Sequence, residues 1–313
     1  MLSFILRRLL SGVVIAFIVS ILTFVLLYFS SSSIVANFLG EAATPELVAA
    51  KEAELGLNQP LHTRYLGWLG GALQGDFGIS WFTNQPVATT LATRLPVTMA
   101  LVIATVVVTA IFATLLGVTA AVKRGWVDRL IQGAAVIGDA IPGYVLAVVF
   151  VTIFAIKLRL FPATATIYPN VGIDAWILSL FLPVFAASIS AVTGGAQQIR
   201  SAVITQSERD FVRTLRSRGI SEREILFKNV LRSAAPAGLT VLSLQFIAML
   251  GASVIIEQIF ALPGMGAIAV TSTVQGDLPI VMGVVMYTVV IVIGVNLLVD
   301  LANGWLNPKV RVS

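Results

Sequence analysis

The chain has no cysteine and a single histidine, His62. No disulfide framework, zinc–thiolate site, iron–sulfur cluster or thiol nucleophile can be built from it, and one imidazole cannot make a metal cluster by itself. Charge is also scarce. Asp, Glu, Lys and Arg make up 11% of the 313 residues, less than half of the roughly 25% carried by a soluble domain. Apolar residues take their place: 58% are hydrophobic and the mean hydropathy is +0.96. That balance excludes a water-soluble globular enzyme. It also excludes a disordered chain, which could not leave so much apolar surface in water. The sequence is that of an integral membrane protein. Its 20 Lys and Arg against 15 Asp and Glu therefore bear on orientation in the bilayer instead of nucleic-acid binding.

A bilayer core about 30 Å thick needs ~20 mostly apolar helical residues per crossing. Charge-free runs at 9–40, 95–122, 130–156 (interrupted only by Asp139), 175–199, 233–256 and 278–299 predict six transmembrane helices in an all-α protein. The serines at 30–33 are read as the point where the first helix leaves the membrane. A further charge-free run, 258–276, contains Pro263, Gly264 and Gly266, which mark turns. It is predicted to be a loop with a short dipping helix. Six spans put both termini on one side. With the amino terminus inside, 15 of the 20 Lys and Arg fall in 62 inside residues and only 5 in 103 outside residues. The positive-inside rule then places both termini in the cytoplasm. Arg7 and Arg8 before the first run also suit a signal peptide, but the run exceeds the ~7 to 15 residues of such a segment and no cleavage site stands out. The expected organisation is a signal-anchor helix at 1–30, an extracytoplasmic insertion at 31–94 and a core membrane domain at 95–313.

The only sizeable inside loop, 200–232, has internal structure. Phe211, Leu215 and, more loosely, Val212 recur at helical spacing on a basic stretch. Gly219 suits the left-handed position that ends a helix. Ser221 with Glu224 three residues on is a capping box opening a second helix, whose apolar face begins with Ile225 and Leu226. A solvated basic loop lying on anionic headgroups is the bland alternative. Two helices with defined ends argue instead for a rigid element that another protein can push.

Arg213-Thr214-Leu215 followed, after three residues, by Gly219 resembles the EAA loop of ABC-importer permeases, the membrane subunits of binding-protein-dependent transporters. The usual Glu and Ala of that motif are here Arg213 and Leu215. Leu55-Gly56-Leu57-Asn58-Gln59-Pro60-Leu61, Arg64-Tyr65-Leu66 and Gly75-Asp76-Phe77-Gly78-Ile79-Ser80 resemble the external insertion of the dipeptide, oligopeptide and nickel branch. Arg94-Leu95-Pro96-Val97-Thr98 looks like the entry to that branch's second span. Glu257-Gln258-Ile259-Phe260-Ala261-Leu262-Pro263-Gly264-Met265-Gly266 is similar to its turn between spans five and six. Asn307-Pro308-Lys309-Val310-Arg311 matches its tail, with Asn in place of Asp, and Ser31-Ser32-Ser33-Ile34 stands where the family has Pro-Gly-Asp-Pro.

The resemblance implies the type I importer permease fold in a prokaryotic cytoplasmic (inner) membrane, and transport of di- or oligopeptides, with nickel, glutathione and other small solutes open. It implies a second, similar permease, one or two cytoplasmic ATPases carrying ATP and Mg²⁺, and an extracytoplasmic solute-binding protein. Arg213, Thr214, Leu215, Arg218, Gly219, Ser221 and Glu224 would then couple to an ATPase. The binding protein would meet Trp68, Trp81, Glu257, Pro263, Gly264 and Gly266.

Asp139 is the only ionisable residue well inside a span. Placing a carboxylate there costs about 2.5 to 3.5 kcal/mol on insertion scales, so it should face protein or water. With Pro142 three residues on, it shapes the translocation path or a kink at the gate, or it is bonded to a neighbouring helix. Pro183 predicts a kink in span four. Thr109, Ala113, Gly117 and Ala121 form a small-residue stripe expected to serve internal packing. No Gly-x-x-x-x-Gly-Lys-Ser/Thr phosphate loop and no His-Glu-x-x-His motif occur in the sequence, so this chain is not expected to hydrolyse ATP or to be an enzyme. The rivals are an ATP-independent secondary transporter or channel, disfavoured by the sparse intramembrane charge, and a membrane enzyme or scaffold, disfavoured by the missing catalytic constellation.

Overall fold

The computed structural model describes residues 2–39, 43–165, 167 and 172–306. In these residues there is no β-strand, only an isolated bridge between Ile79 and Pro86. The helices, in order, are α1 (Leu2–Leu39), α2 (Pro45–Glu54), α3 (Leu61–Ala72), α4 (Val87–Lys123), α5 (Trp126–Ala140), α6 (Gly143–Phe150, continued by a π-helical turn Val151–Lys157), α7 (Ile173–Ser207), α8 (Asp210–Ser217), the single turn α9 (Glu222–Glu224, continued by a π-helical turn Ile225–Val230), α10 (Leu231–Ile259), α11 (Met265–Gln275) and α12 (Leu278–Leu306). Helix is what lipid demands, because an apolar chain can satisfy its own backbone groups there only within the segment.

Among the described residues, five helices are long and apolar enough to cross a membrane, and the bent pair α5–α6 is a broken sixth span or a re-entrant loop. All six predicted spans lie within these elements, but the ends differ. The first helix runs past the serine cluster to Leu39. The second begins at Val87, eight residues before the charge-free run, with Pro96 inside it. Arg94 hides that start from a hydropathy reading. Pro183 does not break α7, which is continuous over 35 residues. The expected short helix after the fifth span is α11. The tail motif at 307–311 lies outside the described residues.

The chain packs as two compact units. One unit takes residues 99–262 with 295–313, the other 2–98 with 263–294. In the first, α5, α6 and α10 pack on α7. The stripe on α4 is used inside the chain: a Cβ on Gly117 would stand 2.7 Å from the Ala196 carbonyl oxygen of α7, and Thr109 and Ala113 are fully buried. Lipid supplies no hydrophobic drive between helices, so this close backbone approach is what holds them together. The second unit has two buried clusters. One joins Val87 and Leu91 to Met265, Ile280 and Val284. The other joins Phe24 and Tyr65 to Leu278 and Met282.

Candidate functional site

The segment after α7 folds as an elbow. α8 ends at Arg218, and Gly219 follows at φ +77°, a left-handed conformation that costs a side-chain-bearing residue roughly 1–2 kcal/mol. Its N–H donates to the Arg216 carbonyl and the Ile220 N–H to that of Leu215, closing the helix end. Ser221 then caps α9, its Oγ accepting from the Glu224 N–H at 3.3 Å. The reciprocal half of the capping box is replaced: the Glu224 carboxylate accepts from Lys228 Nζ at 2.7 Å. The second arm is therefore the root of α10 itself, reached through the π-helical turn.

The elbow has an apolar root and a charged crown. Val212 and Ile225 are buried with Ile199, Val203, Val230 and Ala234; each such burial contributes about 1.5–3 kcal/mol. Val212, the weaker periodic position in sequence, is thus the anchor, whereas Phe211 is 37% exposed. Arg213, Thr214, Arg218, Gly219, Ser221 and Glu224 are exposed, and Leu215 is half-buried against the root. Thr214 Oγ1 donates to the Asp210 carbonyl at 3.1 Å. A cavity of about 630 Å³ opens beside the elbow, rimmed by Arg124, Arg213, Arg216, Arg223, Glu208 and Glu222.

Two ion pairs that sequence reasoning missed lie at the elbow and just before it. Arg216 forks onto Glu222 across the glycine turn, Nε to Oε1 at 2.6 Å and Nη2 to Oε2 at 3.1 Å. Those bonds raise the Arg216 guanidinium further above its ordinary value, so it is charged at any physiological pH. Upstream, Arg200 of α7 forks onto Asp128 of α5 at 2.6 and 2.5 Å, fixing the helix in front of the elbow. The first pair spans six residues across a turn, and a search for i,i+4 partners does not find it.

Asp139 and Pro142 come together at the break between α5 and α6, which meet at 84°. Pro142 has no N–H to give the carbonyl four residues back, which belongs to Gly138, and it pushes Ile141 into an extended conformation (φ −96°, ψ 115°). Ser190 of α7, missed in the sequence, repairs the break. Its hydroxyl donates to the carbonyls of Ile141 at 3.1 Å and Gly138 at 3.4 Å. The Asp139 carboxylate lies at a cavity of about 320 Å³, together with Tyr144, Ser190 and Gln245. Pro183 lies buried in α7 and does not line that cavity.

The residues expected to meet a binding protein are mostly turned inward. Glu257 is fully buried, as are Gly264 and Gly266, and Pro263 is half-buried. Trp68 and Trp81 pack against the Phe24, Tyr65, Leu278 and Met282 cluster. At the separate bend between α11 and α12, Asp277, 2% exposed, accepts from Ser80 Oγ and, at 3.2 Å, from the Trp81 N–H. Ser80 Oγ in turn accepts from the N–H groups of Phe82 and Thr83. Phe260 and Leu262, also buried, complete the packing near the α10 end.

The family described as binding-protein-dependent transport system inner membrane component matches residues 113–312, and its N-terminal companion matches 1–102. A Brucella abortus permease protein named for a peptide transport system is 33% identical over 99% of both chains. The glutathione transport system permease protein GsiC of Escherichia coli K12 is 31% identical over the same share of each. A chain of the inward-facing MetNI methionine ABC transporter shares the fold, at 15% identity and a TM-score of 0.51, covering 69% of this chain and 96% of its own. The chain belongs to the binding-protein-dependent transport system inner membrane component family and is a multi-pass permease subunit of an ABC importer.

Proposed function

We propose that this permease imports di- or oligopeptides, and that the elbow of α8, Gly219 and α9 is the lever through which a separate cytoplasmic ATPase, carrying ATP and Mg²⁺, moves it. The observation that carries this reading is the division of the elbow into a buried root and an exposed crown. Val212 and Ile225 tie it to α4, α7 and α10, while Arg213, Thr214, Arg218, Gly219, Ser221 and Glu224 stand free of that core. A push on the crown therefore reaches the spanning helices through packed side chains. The cargo reading rests on the peptide and glutathione names of relatives alike over the full length.

In this scheme both termini and the elbow are cytoplasmic, residues 31–94 and the turn at 257–266 face outward toward a solute-binding protein, and a second permease completes the path. Trp68, Trp81, Pro263, Gly264 and Gly266 shape the outer surface from beneath. Asp139 and Pro142 line the path or its gate, and Pro183 belongs to the helix that moves with it. The test is reconstitution of the chain with its co-isolating ATPases, second permease and solute-binding protein in liposomes. Uptake of labelled tri-alanine that needs ATP is the expected result. Uptake that persists on an ion gradient without ATP overturns the coupling, and ATP-driven uptake of glutathione or nickel but not of tri-alanine overturns the cargo.

A further inference from the structure

The cavity at the α5–α6 break has a one-sided chemistry. Its polar lining consists of the Asp139 carboxylate, the Tyr144 phenol, the Ser190 hydroxyl and the Gln245 amide; Met249, Ile255 and Ile256 are among its apolar walls, and no Lys or Arg lines it. Two of the polar groups are already engaged. Ser190 donates its proton to the carbonyls at the break, and Gln245 donates from Nε2 to the Ala191 carbonyl at 3.5 Å, which leaves its amide oxygen as an acceptor. The Asp139 side chain is exposed, and among the described residues it has no hydrogen-bond or ion-pair partner. A carboxylate inside a spanning segment with no protein cation beside it calls for a water-filled space, a proton or a cation from outside the chain.

We propose that this cavity is a binding site for a primary ammonium group of the passing cargo, with Asp139 as counter-ion and the Gln245 amide oxygen as a further acceptor. An ammonium offers three N–H donors and no acceptor, which is the complement of what the cavity leaves open. The apolar wall suits the carbon skeleton that carries it. This deepens the peptide reading and rests on the chain forming the translocation path, since a peptide brings one such group at its amino terminus. A sulfonate, phosphate or free carboxylate would meet the repulsion of Asp139, with only the neutral Tyr144 hydroxyl and one Gln245 N–H to donate to it.

The absence of native cysteine makes the test clean. Ala248→Cys and Ala252→Cys put a single thiol on exposed wall positions of the cavity. In the detergent-solubilised importer complex, a trimethylammonium-bearing methanethiosulfonate should label at least one of them faster than its sulfonate counterpart. One nearby charge makes the expected preference about tenfold. Adding Asp139→Asn should bring the two rates together, while size-exclusion profile and co-purification of partners show that the variant is assembled. Millimolar n-butylammonium should slow labelling only when Asp139 is present. Alanyl-alanine amide, with one ammonium, should do the same, and its N-acetylated form should not.

Equal rates for the two reagents, a preference that survives Asp139→Asn, or no labelling at either position by water-borne reagents overturns the proposed site. Protection by n-butylammonium without protection by alanyl-alanine amide supports the ammonium site and removes the peptide as its source, so the two readings fail separately.

Discussion

The elbow after α7 and the bend between α11 and α12 are both tight bends next to long apolar helices, and they handle polarity in opposite ways. The elbow buries apolar side chains, Val212 and Ile225, and displays its charges; its Arg216–Glu222 fork is 47% and 70% exposed at the side chains. The α11–α12 bend buries its charge. Asp277 is 2% exposed and holds the Ser80 hydroxyl and the Trp81 N–H, while the tryptophans pack inward. A displayed charge is weak as a brace but available to a partner, and a buried one is a strong brace that no partner can reach. The contrast separates a bend whose charges a partner can reach from a bend that keeps its own shape.

Three substitutions sharpen it, and the largest effect is expected at the elbow. Gly219→Val forces a β-branched residue to φ +77°, which its side chain resists. Reconstituted transport should fall on the order of tenfold or more, while membrane insertion and yield stay normal. Normal uptake would mean that the angle of the elbow does not matter.

A stability effect comes next, and at the other end. Asp277→Ala leaves the Trp81 N–H and the Ser80 hydroxyl without their acceptor in a buried place, at a cost of about 1–3 kcal/mol. Thermal unfolding in detergent should begin at lower temperature, with the ATPase rate per folded complex unchanged. A drop in that rate without loss of stability would assign the α11–α12 bend a part in coupling. The smallest effect is expected from Glu222→Gln, because an exposed pair contributes at most about 1 kcal/mol. Its expected signature is a modest fall in transport per ATP hydrolysed that shrinks as salt rises, since screening already weakens the wild-type fork.

The spans were legible because lipid permits so few solutions: long charge-free runs must be helices. The elbow was also legible, since Gly219 and Ser221 act within a few residues of themselves. Pro142 announced a disturbance, but its size depends on Ser190, which takes up the carbonyls that proline strands and lies 48 positions farther along the chain. Val212 outranks Phe211 in burial because α8 is only eight residues long, too short for periodicity to fix a face. The Ser80–Asp277 clamp joins residues 197 apart in sequence, and neither residue carries a local signature of the other. The burial of Glu257 is likewise set by packing that no neighbouring residue in the sequence announces.

If an ATPase holds the exposed crown of the elbow, a reactive group placed there must reach that subunit. Arg218→Cys gives a chain with one thiol, on the exposed side of the turn. With a short bifunctional reagent in intact cells, the account predicts a covalent product between this chain and a cytoplasmic ATP-binding subunit, lost when that subunit is deleted. Adducts to lipid alone, with no ATPase captured, would contradict it.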